Sequence, residues 1–162
     1  MRTIVATAPS LLDQIGGEPT LRRLVTRFYD LIETDPRGAR LLKLHFRGHG
    51  VAHAREEQFN FLSGFLGGRR YYLEKHGHMD VRHMHAHVPI SADDAADWLA
   101  LMNRAIDDIE LSGLHVDKMR AAFRRVALIL VNDLDEWGIP KSAADRPDIS
   151  TGPERLSGPA NG

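Results

Sequence analysis

Four stretches of this chain place apolar residues three and four apart, and no segment alternates convincingly over the length of a strand. In "TLRRLVTRFYDLIET" (20–34), Leu21, Leu24, Val25, Phe28, Tyr29 and Ile32 share one helical face, which Asp35-Pro36 ends. A second helix is expected over 51–66, with Ala54, Phe61, Leu62, Phe65 and Leu66 on its face and Gly67-Gly68 as its stop. After Pro89, Ser91 and Asp94 read as a capping box that opens a third, over about 92–111, carrying Trp98, Met102 and Ile106. A fourth is expected over about 117–137, with Met119, Phe123, Val126, Leu130 and Leu134. Shorter helical turns fit 11–15 and 39–46. The fold class is therefore all-α.

At 162 residues the chain is long enough for one domain with a substantial core. Residues 1–10 read as an N-terminal extension and 11–138 as the folded domain. From 139 to 162 the sequence turns to Pro, Gly, Ser, Ala and Asp with few large apolar groups, so burial cannot offset the entropy of ordering it, and disorder is expected. The 21 Lys and Arg nearly balance the 22 Asp and Glu, which leaves no field to recruit nucleic acid or anionic lipid. No run approaches membrane-spanning length, and the N-terminus is too short and too weakly apolar for a signal peptide. A cytoplasmic location is expected. With no cysteine, disulfides, thiolate metal sites and a cysteine nucleophile are excluded.

Chemistry concentrates in "HGHMDVRHMHAHVPI" (76–90), which holds five of the nine histidines. Three readings of it stand side by side. On a β-strand, His83, His85 and His87 would face one way, as a three-histidine zinc site could use. As surface or core histidines they would have no ligand role, a reading that also suits His49, His53, His76 and His115. The third reading makes one of them the axial ligand of haem iron, which needs a neutral imidazole and a wide apolar lining. Neither composition nor periodicity decides among the three.

Longer motifs carry a resemblance. "IGGEPTLRRLVTRFYDLIETDP", "FNFLSGFLGG" and "VRHMHAHVPISADDAADWLALMNRAI", in this order, resemble a group II truncated haemoglobin over about residues 11–133. The paired glycines at 16–17 and 67–68, Phe28-Tyr29 and the histidine-to-tryptophan spacing make the match specific. The resemblance implies a truncated globin fold, with two helices packed over two around haem b (iron protoporphyrin IX).

Matched position by position, the resemblance puts the proximal iron ligand at His85 in "RHMHAHV". Here His87 stands where the family has a proline and Val88 where it has a phenylalanine. It puts Tyr29 and Trp98 in the distal pocket as donors to a bound ligand; as plain side chains, both equally suit helix packing. Ala54 falls where many globins carry a distal histidine, leaving a side entrance open. Gln58, one turn on, needs a partner if buried, which a ligand or Tyr29 could supply. The ring that packs on the haem falls at His45, with Phe46 as the alternative. Phe61 and Met102 are implied as haem lining, and Tyr72 and Arg82 as partners of the propionates.

The implied ligands are dioxygen, carbon monoxide and nitric oxide. Each charge-assisted bond from the distal donors contributes about 1.5–3 kcal/mol. Two of them would slow ligand loss roughly 10²–10⁴-fold. Tight oxygen binding of this kind suits NO dioxygenation or reaction with peroxide. The alternative is a haem-based gas sensor or partner-binding globin without turnover. A separate reductase is implied, since the chain has no flavin or nicotinamide fingerprint, and a homodimer is allowed.

Overall fold

The computed structural model describes residues 8–46, 50–86, 88–132 and 134. Eight helices follow one another within them: α1 (Leu11–Ile15), α2 (Gly17–Thr34), α3 (Gly38–Phe46), α4 (Val51–Phe65), α5 (Tyr71–His76), α6 (Val81–Met84), α7 (Ala92–Asp108) and α8 (Leu114–Leu130). No strand occurs among the described residues. Residues 1–7 and the tail expected over 139–162 lie outside them, as do His49, His87 and the side chain of Phe46.

The apolar face read from the sequence is the face that packs. Leu21, Leu24, Val25, Phe28, Tyr29 and Ile32 of α2 are all buried. They pack with Leu101, Met102, Ala105 and Ile106 of α7 and Met119 and Phe123 of α8 in one core. The helix α2 lies against both α4 and α7, and α7 against α8, giving the two-over-two arrangement of a truncated globin. None of the described helices is long and apolar enough to cross a membrane.

Two glycines set the geometry at the ends of α2. Gly16 adopts φ 115°, a left-handed conformation that costs other residues free energy, and there α1 stops and α2 begins. At the far end, a Cβ on Gly38 would collide with the backbone carbonyl of Ile32, so only glycine lets α3 fold back closely onto α2. Ion pairs then fasten α3 and its entry loop to α7: Arg40 to the buried Asp94 at 2.8 Å, and Arg104 to Asp35 at 2.6 Å. Asp94 also accepts the Ser91 backbone N–H while Ser91 Oγ accepts the Asp94 N–H, which is the expected capping box.

Some boundaries differ from the expected ones. The third long helix ends at Asp108 rather than near 111. The fourth runs from Leu114 to Leu130 rather than over 117–137. Its early stop has a tertiary cause. Beyond Val131, Asn132 leaves the helix to bind the loop at 88–90: its Nδ2 donates to the Val88 carbonyl (2.8 Å), its Oδ1 accepts the Ile90 N–H (3.1 Å), and its own N–H donates to the Ile90 carbonyl (2.9 Å).

Candidate functional site

The described residues of the histidine segment form helix and turns with no strand, so the strand geometry that would align His83 with His85 does not arise among them. Asp80 caps α6 by accepting the backbone N–H groups of Arg82 and His83. His85 follows immediately, half-buried, with its Nδ1 2.7 Å from the Val81 carbonyl. A carbonyl can only accept, so Nδ1 carries the hydrogen and Nε2 of the neutral ring holds a lone pair. That nitrogen has no hydrogen-bond partner among the described residues. An oriented imidazole with a free Nε2 is the donor a metal centre needs.

The remaining histidines of the segment are engaged differently. His76 Nε2 lies 2.6 Å from Glu57, which also accepts from Lys75. These two partners and their charges outweigh burial and hold the Glu57 carboxyl below its usual range, although desolvation is the largest single effect and acts upward. His78 and His83 meet edge to face, with ring centroids 5.4 Å apart. Among the described residues, no group of three His, Asp or Glu is arranged to hold a bare metal ion.

A second histidine repeats the device of the first. His45, in the last turn of α3, has its Nδ1 2.6 Å from the Leu41 carbonyl, again four residues back. Its Nε2 lies 3.2 Å from the Tyr29 hydroxyl. Burial lowers the pKa of His45; the Leu41 bond works against that, and a proton on His85 would add to it. Burial pushes the Tyr29 hydroxyl far up, partly offset by the Arg55 guanidinium, which lies 5.6 Å from the centre of the Tyr29 ring.

From His45 a chain of ring contacts runs through the molecule. Tyr29 packs on His45 and on Phe28, Phe28 on Trp98, Trp98 on Phe123, and Phe123 on Phe65, with centroids 5.1–6.1 Å apart. Phe61 stacks on Phe65 and meets Tyr72 edge-on. Phe61, Phe65, Trp98 and Ala54 touch the core yet remain only partly buried. A large flat apolar ring system would complete that burial, and His85 Nε2 would meet its metal. These residues therefore fit a haem.

The sequence-derived residues divide accordingly. His45 and Tyr29 are in direct contact, and Trp98 joins them through Phe28. The indole N–H of Trp98 and the amide of Gln58 make no hydrogen bond among the described residues, and Tyr29 is paired with His45 instead of Gln58. Met102 is fully buried in the core. Tyr72 is buried against Phe61 and His76. Arg82 is exposed on α6, its guanidinium unpaired among the described residues, where it remains available to a carboxylate.

Three contributors escaped the sequence reading. The Leu41 carbonyl could have been found, since a histidine ring near a helix end reaches back one turn. Asn132 was signalled by a polar residue closing "VALILV". Arg55 gave no signal, because its place over Tyr29 depends on how α4 crosses α2, where it pairs with Asp30 and Glu33 at 3.0 and 3.1 Å.

Comparison with known proteins identifies the family. The family model for bacterial-like globins matches residues 10–132. A group 2 truncated haemoglobin of Bacillus subtilis is 37% identical over 97 residues, spanning 60% of this chain and 70% of that protein. Among solved structures, the group II 2-on-2 haemoglobin of Agrobacterium tumefaciens superposes with a TM-score of 0.72 at 31% identity, covering 80% of this chain and 98% of that one. The truncated oxygen-avid haemoglobin of Bacillus subtilis gives a TM-score of 0.68 at 31% identity, covering 76% and 100%. With the family model spanning residues 10–132 and its helices arranged as in these structures, the chain belongs to the bacterial-like globin family, among the group II truncated haemoglobins.

Proposed function

We propose that this globin holds haem b through His85 Nε2 and retains dioxygen tightly, for redox chemistry such as NO dioxygenation or reaction with peroxide rather than for bulk transport. Haem-based binding of diatomic gases follows from the family. The observation that carries the rest is the His85 Nδ1–H bond to the Val81 carbonyl, which fixes the ring and leaves Nε2 free. When bound, the haem supplies the ferrous centre that takes up the gas and exchanges electrons with it.

The protein's own share is orientation and polarity. Val81 and the Asp80 cap hold the proximal ring. Trp98 offers an N–H with no other partner among the described residues, suited to a ligand that gathers negative charge. Tyr29 and His45 add a polar edge to an otherwise aromatic pocket. Ala54 offers no donor and keeps the approach beside Arg55 open. Arg82 is suited to a propionate at the pocket edge. The oxygen-avid character of the Bacillus subtilis relative supports tight retention here. Turnover would require a separate reductase.

The test is the absorption spectrum of the purified protein, ferric and then reduced, before and after carbon monoxide. A stoichiometric haem band that shifts with carbon monoxide is expected in the wild type. His85→Gly should lose stable haem, or regain it when imidazole is added. A normal spectrum in that variant without imidazole would overturn the assignment.

A further inference from the structure

The two hydrogen bonds of His45 settle where its hydrogen sits, and that has a consequence for Tyr29. The Leu41 carbonyl can only accept, so the neutral ring places its one hydrogen on Nδ1 and presents a lone pair at Nε2. The Tyr29 hydroxyl, 3.2 Å from that lone pair, must be the donor. A phenol has a single hydrogen, so Tyr29 has none left for a second acceptor. Turning the hydroxyl toward a ligand would orphan the Nε2 acceptor in a pocket where both rings are largely buried. Trp98 has no such commitment among the described residues.

From this arrangement we infer that His45 is a restraining residue: it withholds the Tyr29 hydroxyl from a diatomic ligand, so Trp98 is the working donor and His45 sets how tightly the ligand is kept. The inference rests on the haem reading above. It runs against the expectation that Tyr29 and His45 both donate to the ligand. Burial, which disfavours charge on either ring, works in the same direction. The other titratable groups facing the pair are Arg55 from α4, itself paired with Asp30 and Glu33, and His85 beyond α6. Arg55 has no lone pair to accept from Tyr29.

The experiment uses the full haem-loaded chain. It reads the C–O stretch of the carbon monoxide complex, which falls when a donor reaches the ligand, and the oxygen dissociation rate. Four variants are compared with the wild type: Tyr29→Phe, His45→Phe, the double variant and His45→Gln. Tyr29→Phe should leave both readouts unchanged within about twofold, well short of the effect of losing one charge-assisted bond. His45→Phe should free Tyr29, lower the stretch and slow oxygen release about tenfold or more. The double variant should return to the wild-type values. His45→Gln, which keeps an acceptor, should stay close to wild type, a rescue that loss of packing would not produce.

Tenfold faster release from Tyr29→Phe alone would overturn the inference, because Tyr29 would then already serve the ligand. Faster release from His45→Phe would overturn it too, with His45 itself the donor. Failure of the haem reading is a separate result: no carbon monoxide complex would form in any of the proteins.

Discussion

At the scale of single residues, His45 and His85 use one device for two purposes. Each spends Nδ1–H on the carbonyl four residues back and leaves Nε2 as the ring's acceptor. His85 then has a free nitrogen, whereas His45 has a phenol. Burial lowers the His45 pKa from an ordinary value of 6.5, so the folded protein resists a proton that the unfolded chain accepts. The sign follows directly. Stability contributed by neutral His45 is fully present above about pH 6.5. It is lost as pH falls from there through the lower folded-state value. The melting temperature should therefore decline with acid across that window, and His45→Gln should flatten this part of the curve. The Glu57 carboxyl, also depressed, acts at lower pH, below its ordinary 4.5, so the two contributions separate along the titration. A melting curve equally steep in His45→Gln would exclude His45 as the source.

Among the elements, α6 is the least self-sufficient. It has four residues and buries none of them, far short of the length at which a helix persists alone. Asp80 caps its start, and the loop beyond His85 is tied down by Asn132 at the end of α8. Asn132→Ala would remove three side-chain bonds to half-buried backbone groups, two in the loop at 88–90 and one to the Leu134 N–H. The expected cost is about 1–3 kcal/mol, read as a lower denaturant midpoint with little change in slope. Haem should also leave this variant faster, because the segment carrying His85 is freer to move. An unchanged midpoint would mean that water replaces the amide without loss. The element scale also marks how far the sequence could be read. The long helices were legible because their apolar faces repeat every turn, and the capping box at Ser91 and Asp94 because it is local. The stop of α8 was not, since its cause lies 42 and 44 residues away in the loop at 88–90. The Tyr29–His45 pairing was hidden for the same reason. It exists because Gly38 lets α3 fold back on α2, a contact no periodicity encodes.

Across the whole molecule, stability and function meet in the same partly covered surface. The core formed by α2, α7 and α8 is closed by its own side chains, with Leu21, Leu24, Phe28, Met102 and Met119 fully buried. The aromatic run is different: Phe61, Phe65 and Trp98 touch that core but keep exposed area that a bound apolar group would cover. A ligand that binds the folded state alone stabilises it by mass action, by about 4 kcal/mol at a thousandfold excess over its dissociation constant. The gain should fall unevenly. The core helices already have their contacts, whereas α6 would acquire through His85 the anchor its own four residues lack. Haem-free protein should therefore keep α2, α7 and most of α8 protected in hydrogen exchange, while the Met84 and His85 amides, bonded to the Asp80 and Val81 carbonyls, exchange quickly. Loading haem should protect those two amides strongly and the core amides little beyond the global change. Uniform protection across all helices would instead mean that the fold assembles around the haem as one unit, with no preformed core to receive it.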